Sequence, residues 1–140
     1  MSRLRPARAI YSDPALALAE VPAFRLAEID EMLASPDRAL IWSQNPRWPE
    51  YVLDIELAAL ARFDPAAIVT LDEMTSRTFL TETAIVPSLV VLPDPSGCVP
   101  PQAAALLRER GFETVTVPDA GHAIHLDNAA GFLAAIDGWL

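Results

Sequence analysis

Lysine is absent from the 140 residues: all ten basic side chains are arginine, set against nineteen carboxylates, and the formal net charge is −9. A surface of that sign repels phosphate backbones and anionic headgroups, which excludes nucleic acid and membrane surfaces as expected partners. Cysteine is nearly absent. With Cys98 alone, no intramolecular disulfide can form, and a disulfide-stapled secreted scaffold is excluded. No apolar run reaches the roughly 20 residues needed to cross a bilayer. Arg3, Arg5 and Arg8 make a basic start, but Asp13 and Glu20 interrupt the stretch where the apolar region of a signal peptide would lie. There is no internal repeat and no low-complexity segment. A soluble, cytoplasmic protein is the expectation.

What the chain does have is apolar content. At 52% hydrophobic residues, it is long enough to form one domain with a real core, burying roughly two-thirds of its unfolded surface. Its character changes near Thr83. Before that point helical spacing dominates: Leu26, Ile29, Met32 and Leu33 recur at three and four, as do Leu53, Ile55, Leu57 and Leu60 less cleanly. Asp13-Pro14 and Asp64-Pro65 each offer a capping carboxylate followed by a proline suited to the first helical position. The clearest loop is Ser43-Gln44-Asn45-Pro46-Arg47-Trp48-Pro49, where two prolines push the preceding residues out of helical geometry.

After Thr83 the pattern becomes strand, helix, strand, helix. Val86 to Leu92 is a short, valine-rich run, as expected of a parallel strand covered on both faces. Pro101 to Arg110 reads as a helix closed by Gly111, Glu113 to Val117 as a second strand, and the last helix starts near Asp127 or Asn128 with Phe132, Leu133, Ile136, Trp139 and Leu140 on one face. Two strands joined by a helix should be parallel with a right-handed crossover. The functional groups of such a unit sit beyond the carboxyl ends of the strands, where this sequence places Asp94 and His122. One edge of strand Val86–Leu92 is left unpaired on this reading, and an open apolar edge invites a partner chain or self-association.

The lines Val86-Pro87-Ser88-Leu89-Val90-Val91-Leu92 and Pro118-Asp119-Ala120-Gly121-His122, followed by an amphipathic terminal helix, resemble the C-terminal end of α/β-hydrolases. The resemblance covers residues 85–140 best. Residues 1–84, with Asn45-Pro46-Arg47-Trp48-Pro49 and Phe63-Asp64-Pro65, are more weakly similar to the helical cap that many of these enzymes insert before that end. The implied fold is α/β: a helical cap-like segment over 1–84, then a parallel β-α-β-α portion of a hydrolase core over 85–140.

The resemblance makes His122 the general base of a serine hydrolase and calls for a carboxylate to fix its tautomer. Asp94 is the candidate. In many members that acid sits about two residues further into the loop, where this chain has Ser96. The nucleophile elbow, Gly-x-Ser-x-Gly between strand and helix, is missing: none of Ser2, Ser12, Ser35, Ser43, Ser76, Ser88 or Ser96 has that setting. Loss of a triad nucleophile costs about six orders of magnitude in turnover in a well-studied serine protease. The expectation is therefore a C-terminal portion of a serine hydrolase, inactive alone. Its complete form would cleave an ester-like or amide-like small molecule without a cofactor. The alternative is a non-catalytic remnant or small interaction module.

Other residues allow sharper readings, each with a plainer competitor. His122, His125 and Asp127 could form a metal cluster, but no further His or Cys lies near to complete it, and a solvent-facing His125 ahead of the helix cap is the simpler reading. Cys98 could act as a nucleophile with His122, or serve as a small apolar residue. Trp42, Trp48 and Trp139 could line an acyl pocket, or be core aromatics flanking helices.

Overall fold

The computed structural model describes residues 6–15, 33–64 and 82–140. The chain divides into two compact units, Met1–Ala17 with Phe79–Leu140 in one and Leu18–Thr78 in the other. The first unit is of the α/β class. It holds strands β1 (Ala9–Ser12), β2 (Ser88–Pro93) and β3 (Glu113–Val117), with helix α3 (Pro101–Glu109) between the last two. Helices α4 (Ile124–Asp127) and α5 (Ala129–Ile136) and a 3-10 turn, Asp137–Trp139, follow.

All pairings are parallel, in the order β1-β2-β3, with Ile10 opposite Leu89 and Val90 opposite Thr114. The strand read from the valine-rich run is thus central, not at an edge. Its neighbour on the side expected to be open is Ala9–Ser12, a strand lying within the segment read as helical cap.

Burial shows why β2 lacks alternation in its sequence. Every one of its residues is buried, but successive side chains point to opposite faces. Val90 and Leu92 join Val99, Ala103, Ala104, Leu107 and Phe112 on the α3 side. Leu89 and Val91 join Val117, Ala120, Ile124 and Ile136 on the other, with Ile10, Phe132 and Trp139 packed around them. A strand covered by helices on both faces must be apolar at every position. Helix α3 begins with Pro101 at its first position and is followed by Gly111 at φ 85°, a left-handed turn that a side chain would strain.

The second unit contains helices α1 (Arg38–Gln44) and α2 (Glu50–Leu60). Asp37 caps α1, its carboxylate accepting from the Ala39 N–H at 2.9 Å. The helix takes in Ser43 and Gln44, so the proline-marked loop is shorter than the sequence suggests. Helix α2 buries Val52 and Leu53 and leaves Ile55 exposed, which explains its imperfect apolar spacing. An Arg38–Asp54 ion pair joins the two helices; both side chains are solvated, so it contributes at most about 1 kcal/mol. Leu26, Ile29 and Met32, and the helix expected after Asp64-Pro65, lie outside the described residues.

Candidate functional site

Three loops leave the carboxyl ends of the three strands on one rim of the sheet, and each contributes to a single cluster. Asp13 follows β1 directly, Ser96 and Cys98 lie in the loop after β2, and His122 in the loop after β3. Such a rim is where open parallel sheets place their functional groups.

Asp13 is 1% exposed and has φ 37°, the left-handed conformation that aspartate tolerates better than most residues. Its N–H donates to the Val91 carbonyl at 2.8 Å, which extends the β1–β2 pairing one residue past the strand and fixes the backbone below the carboxylate. Oδ1 accepts from the Ser96 hydroxyl at 2.5 Å, and the same hydroxyl oxygen accepts from the Val99 N–H at 2.9 Å. Oδ2 accepts from His122 Nδ1 at 2.9 Å. Both carboxylate oxygens are thus occupied, as burial of a charge demands. Asp13 is no helix cap here; its carboxylate faces the site.

The carboxylate on His122 is therefore Asp13. Asp94 is exposed at the start of the β2 loop, ahead of a cis Asp94–Pro95 peptide, and makes no hydrogen bond to His122. The position two residues further on, where the family resemblance expects an acid, is filled by Ser96, and its hydroxyl holds Asp13 in place. A carboxylate from the neighbouring strand end takes the expected position beside the imidazole.

His122 presents an imidazole that is 67% exposed, anchored at Nδ1. Its pKa is raised from 6.5 to about 10, mainly by the hydrogen bond to Asp13, next by that to Cys98, and against the opposing effect of desolvation. Cys98 Sγ lies 3.5 Å from Nδ1, the nitrogen that Asp13 already holds. A nucleophile activated by this histidine would have to face Nε2, so Cys98 stands on the orienting side of the ring. Among the described residues nothing is hydrogen-bonded to Nε2.

The loop carrying His122 is held at both ends. The Gly121 N–H donates to Asp127 Oδ2 at 2.7 Å, and a Cβ at Gly121 would meet that oxygen at 3.0 Å, so glycine permits the close approach. Asn128 caps α5 by accepting from the Gly131 N–H at 2.9 Å, while its amide donates to the Pro118 carbonyl at 3.0 Å. Asn128→Ala should lower stability by about 1–2 kcal/mol, measurable by urea unfolding.

With Asp127 engaged in this way and His125 against the Phe132 ring, 6.2 Å between centroids, the His122, His125 and Asp127 group is not gathered. Trp42 lines a cleft of about 410 Å³ in the second unit with Arg38, Glu50 and Leu53, whereas Trp139 packs under the sheet of the first. No described helix is long and apolar enough to cross a membrane.

Asp13 is the residue of this cluster that the sequence did not bring forward. The available signal was Ile10-Tyr11 ahead of Asp13-Pro14: two apolar residues of opposite facing, then a carboxylate at a chain turn.

No family model matches this sequence, and no curated protein matches it. Among solved structures the chain is similar to N-formylmaleamic acid deformylase Nfo from Pseudomonas putida S16, crystallised as a serine-to-alanine variant. The TM-score is 0.67 at 20% identity, over 94% of this chain and 56% of that one. The chain thus spans little more than half the length of the deformylase. A likeness at that identity is one of fold: the chain has an α/β-hydrolase-like fold.

Proposed function

We propose that His122 and Asp13 are the base and the orienting acid of a hydrolase site for ester-like or amide-like small molecules, completed by a nucleophile from outside these 140 residues. The observation that carries this reading is the 2.9 Å bond between Asp13 Oδ2 and His122 Nδ1 at the carboxyl rim of a parallel sheet. A buried carboxylate on Nδ1 leaves the opposite nitrogen to take a proton and stabilises the cation that results; with the His122 pKa raised to about 10, the neutral imidazole that acts as base is gained as pH rises toward that value. The deformylase name of the structural neighbour fits the amide side of that substrate class. Among the described residues β1 pairs with β2 alone. A parallel strand added beside β1 would end on the same rim and bring a nucleophile to Nε2, whether from the same polypeptide or a partner chain. No cofactor is needed for this chemistry.

On this reading the isolated chain neither turns over a chromogenic short-chain ester nor reacts with a fluorophosphonate probe. Co-expression with a segment bearing a Gly-x-Ser-x-Gly elbow, drawn from the adjoining coding sequence, should give fluorophosphonate labelling that H122A abolishes. Turnover by the chain alone that depends on His122 would overturn the external nucleophile. Failure of the combination to label would overturn the hydrolase reading.

A second reading, a non-catalytic domain that keeps this fold as an interaction module, is favoured by one observation: among the described residues no hydroxyl or thiol is bonded to Nε2.

A further inference from the structure

Asp13, Cys98 and His122 offer a carboxylate oxygen, a sulfur and an imidazole nitrogen, all within 4.8 Å of one another. We propose that they form a binding site for a thiophilic divalent cation of the Zn²⁺ class, and that a bound ion takes His122 Nδ1 out of its bond with Asp13. The site rests on these three side chains and does not depend on the hydrolase reading.

The geometry is close to what such an ion requires. Metal bonds of about 2.3 Å to sulfur and about 2.0 Å to nitrogen and oxygen, at tetrahedral angles, separate S from N by about 3.5 Å and N from O by about 3.3 Å. The corresponding separations are 3.5 Å for Cys98 Sγ to His122 Nδ1 and 2.9 Å for His122 Nδ1 to Asp13 Oδ2. The third pair, Cys98 Sγ and the Asp13 carboxylate, lies within 4.8 Å against about 3.5 Å for such an ion, so entry needs a small outward shift of an imidazole that is already two-thirds exposed and adjustment of the Cys98 side chain toward Asp13.

The ligand set also selects the metal. One thiolate and one imidazole suit zinc, cobalt or cadmium and disfavour magnesium and calcium, which take oxygen ligands. Binding sends the Cys98 thiol proton and the Nδ1 proton of the imidazolium to solvent. Thiolate and Asp13 carboxylate then balance the two positive charges, so the cluster with its ion is neutral. Solvent can fill the fourth position on the exposed side.

The surrounding bonds are those of a supported site. Ser96 donates to the oxygen of Asp13 opposite the one that faces the histidine and is itself fixed by the Val99 N–H. Metal-binding carboxylates are commonly oriented in this way. The consequence for His122 is direct: once Nδ1 holds an ion, the imidazole no longer has Asp13 as its hydrogen-bond acceptor, so the cation acts as an inhibitor of any chemistry the pair performs.

Titration of the reduced 140-residue chain with Co²⁺ tests this. We expect one equivalent to bind with a thiolate-to-cobalt charge-transfer band in the near ultraviolet, and Zn²⁺ to displace it. C98S and H122A, both at solvent-accessible positions, should remove the band. S96A should keep it while weakening Co²⁺ affinity about 10–100-fold, and H125A should change nothing. A band absent at saturating Co²⁺ overturns the proposal. So does a band that persists in H122A, or an affinity that H125A lowers as much as H122A does.

Discussion

In D13N the His122 imidazole should titrate well below the wild-type chain, in which it should hold its proton until the pH approaches about 10. The side chains are nearly isosteric, so the substitution removes charge while leaving the Ser96 side of the pocket filled. Asp13 is the largest cause of the upward shift, and Cys98 the next; C98S should therefore move the midpoint in the same direction by less. An imidazole NMR titration in metal-free buffer reads both. A wild-type midpoint near 6.5 would show that the Asp13 bond does not persist in solution. Because the folded-state pKa is raised, the pair's contribution to stability is fully present below 6.5 and is lost as pH rises from there through about 10. With two-thirds of the imidazole in water, solvent screening limits that contribution to about 1 kcal/mol. Unfolding midpoints measured across this window should fall in the wild type and stay flatter in D13N.

Ile124→Ala should cost about 2–5 kcal/mol, as should Leu107→Ala on the opposite face of the sheet. Both side chains are 0% exposed, and each closes one of the two core clusters. Stability alone will not separate them. Ile124 opens α4 two residues after His122 and anchors it against Leu89 and Val91, whereas Leu107 packs α3 against Val90 and Leu92. The first cavity should loosen the histidine loop and lower the His122 midpoint; the second should leave it near its wild-type value. Denaturant unfolding gives the common loss, and the same NMR titration gives the difference. Equal movement of the midpoint in both variants would show that the loop is not held from the Ile124 side.

The sequence disclosed β2, α3, β3 and the terminal helices because each carries its own local signal. Valine density marks a doubly covered strand, a proline opens α3, Gly111 follows it, and Asn128 stands at a cap. β1 had none of these. Ala9–Ser12 contributes only Ile10 and Tyr11 as large apolar residues, too few to show a period, and the strand it pairs with begins at Ser88. Asp13-Pro14 misled for a chemical reason. A short carboxylate ahead of proline suits a helix entry and equally suits the end of a strand. Asp94 was the nearest carboxylate after the strongest strand, so sequence proximity favoured it. The carboxylate that reaches His122 comes instead from across the sheet, 109 positions away. The α/β-hydrolase-like fold was legible. Of the cluster, His122 and its neighbour Cys98 were legible; Asp13 was not.

The pairing of Ala9 with Ser88 also sets an order of assembly. β2 meets β3 across 24 positions, Leu89 to Glu113, whereas β1 must close a loop of 79 positions to reach Ser88, an added entropic cost of about 1 kcal/mol. The β2-α3-β3 segment can collapse on its own local contacts first, and the strand bearing Asp13 docks last. Pulsed hydrogen exchange should therefore protect the amides of β2 and β3 before the Asp13 amide that binds Val91. Until that step His122 lacks the Asp13 carboxylate. The charged pair forms only once β1 has joined the sheet.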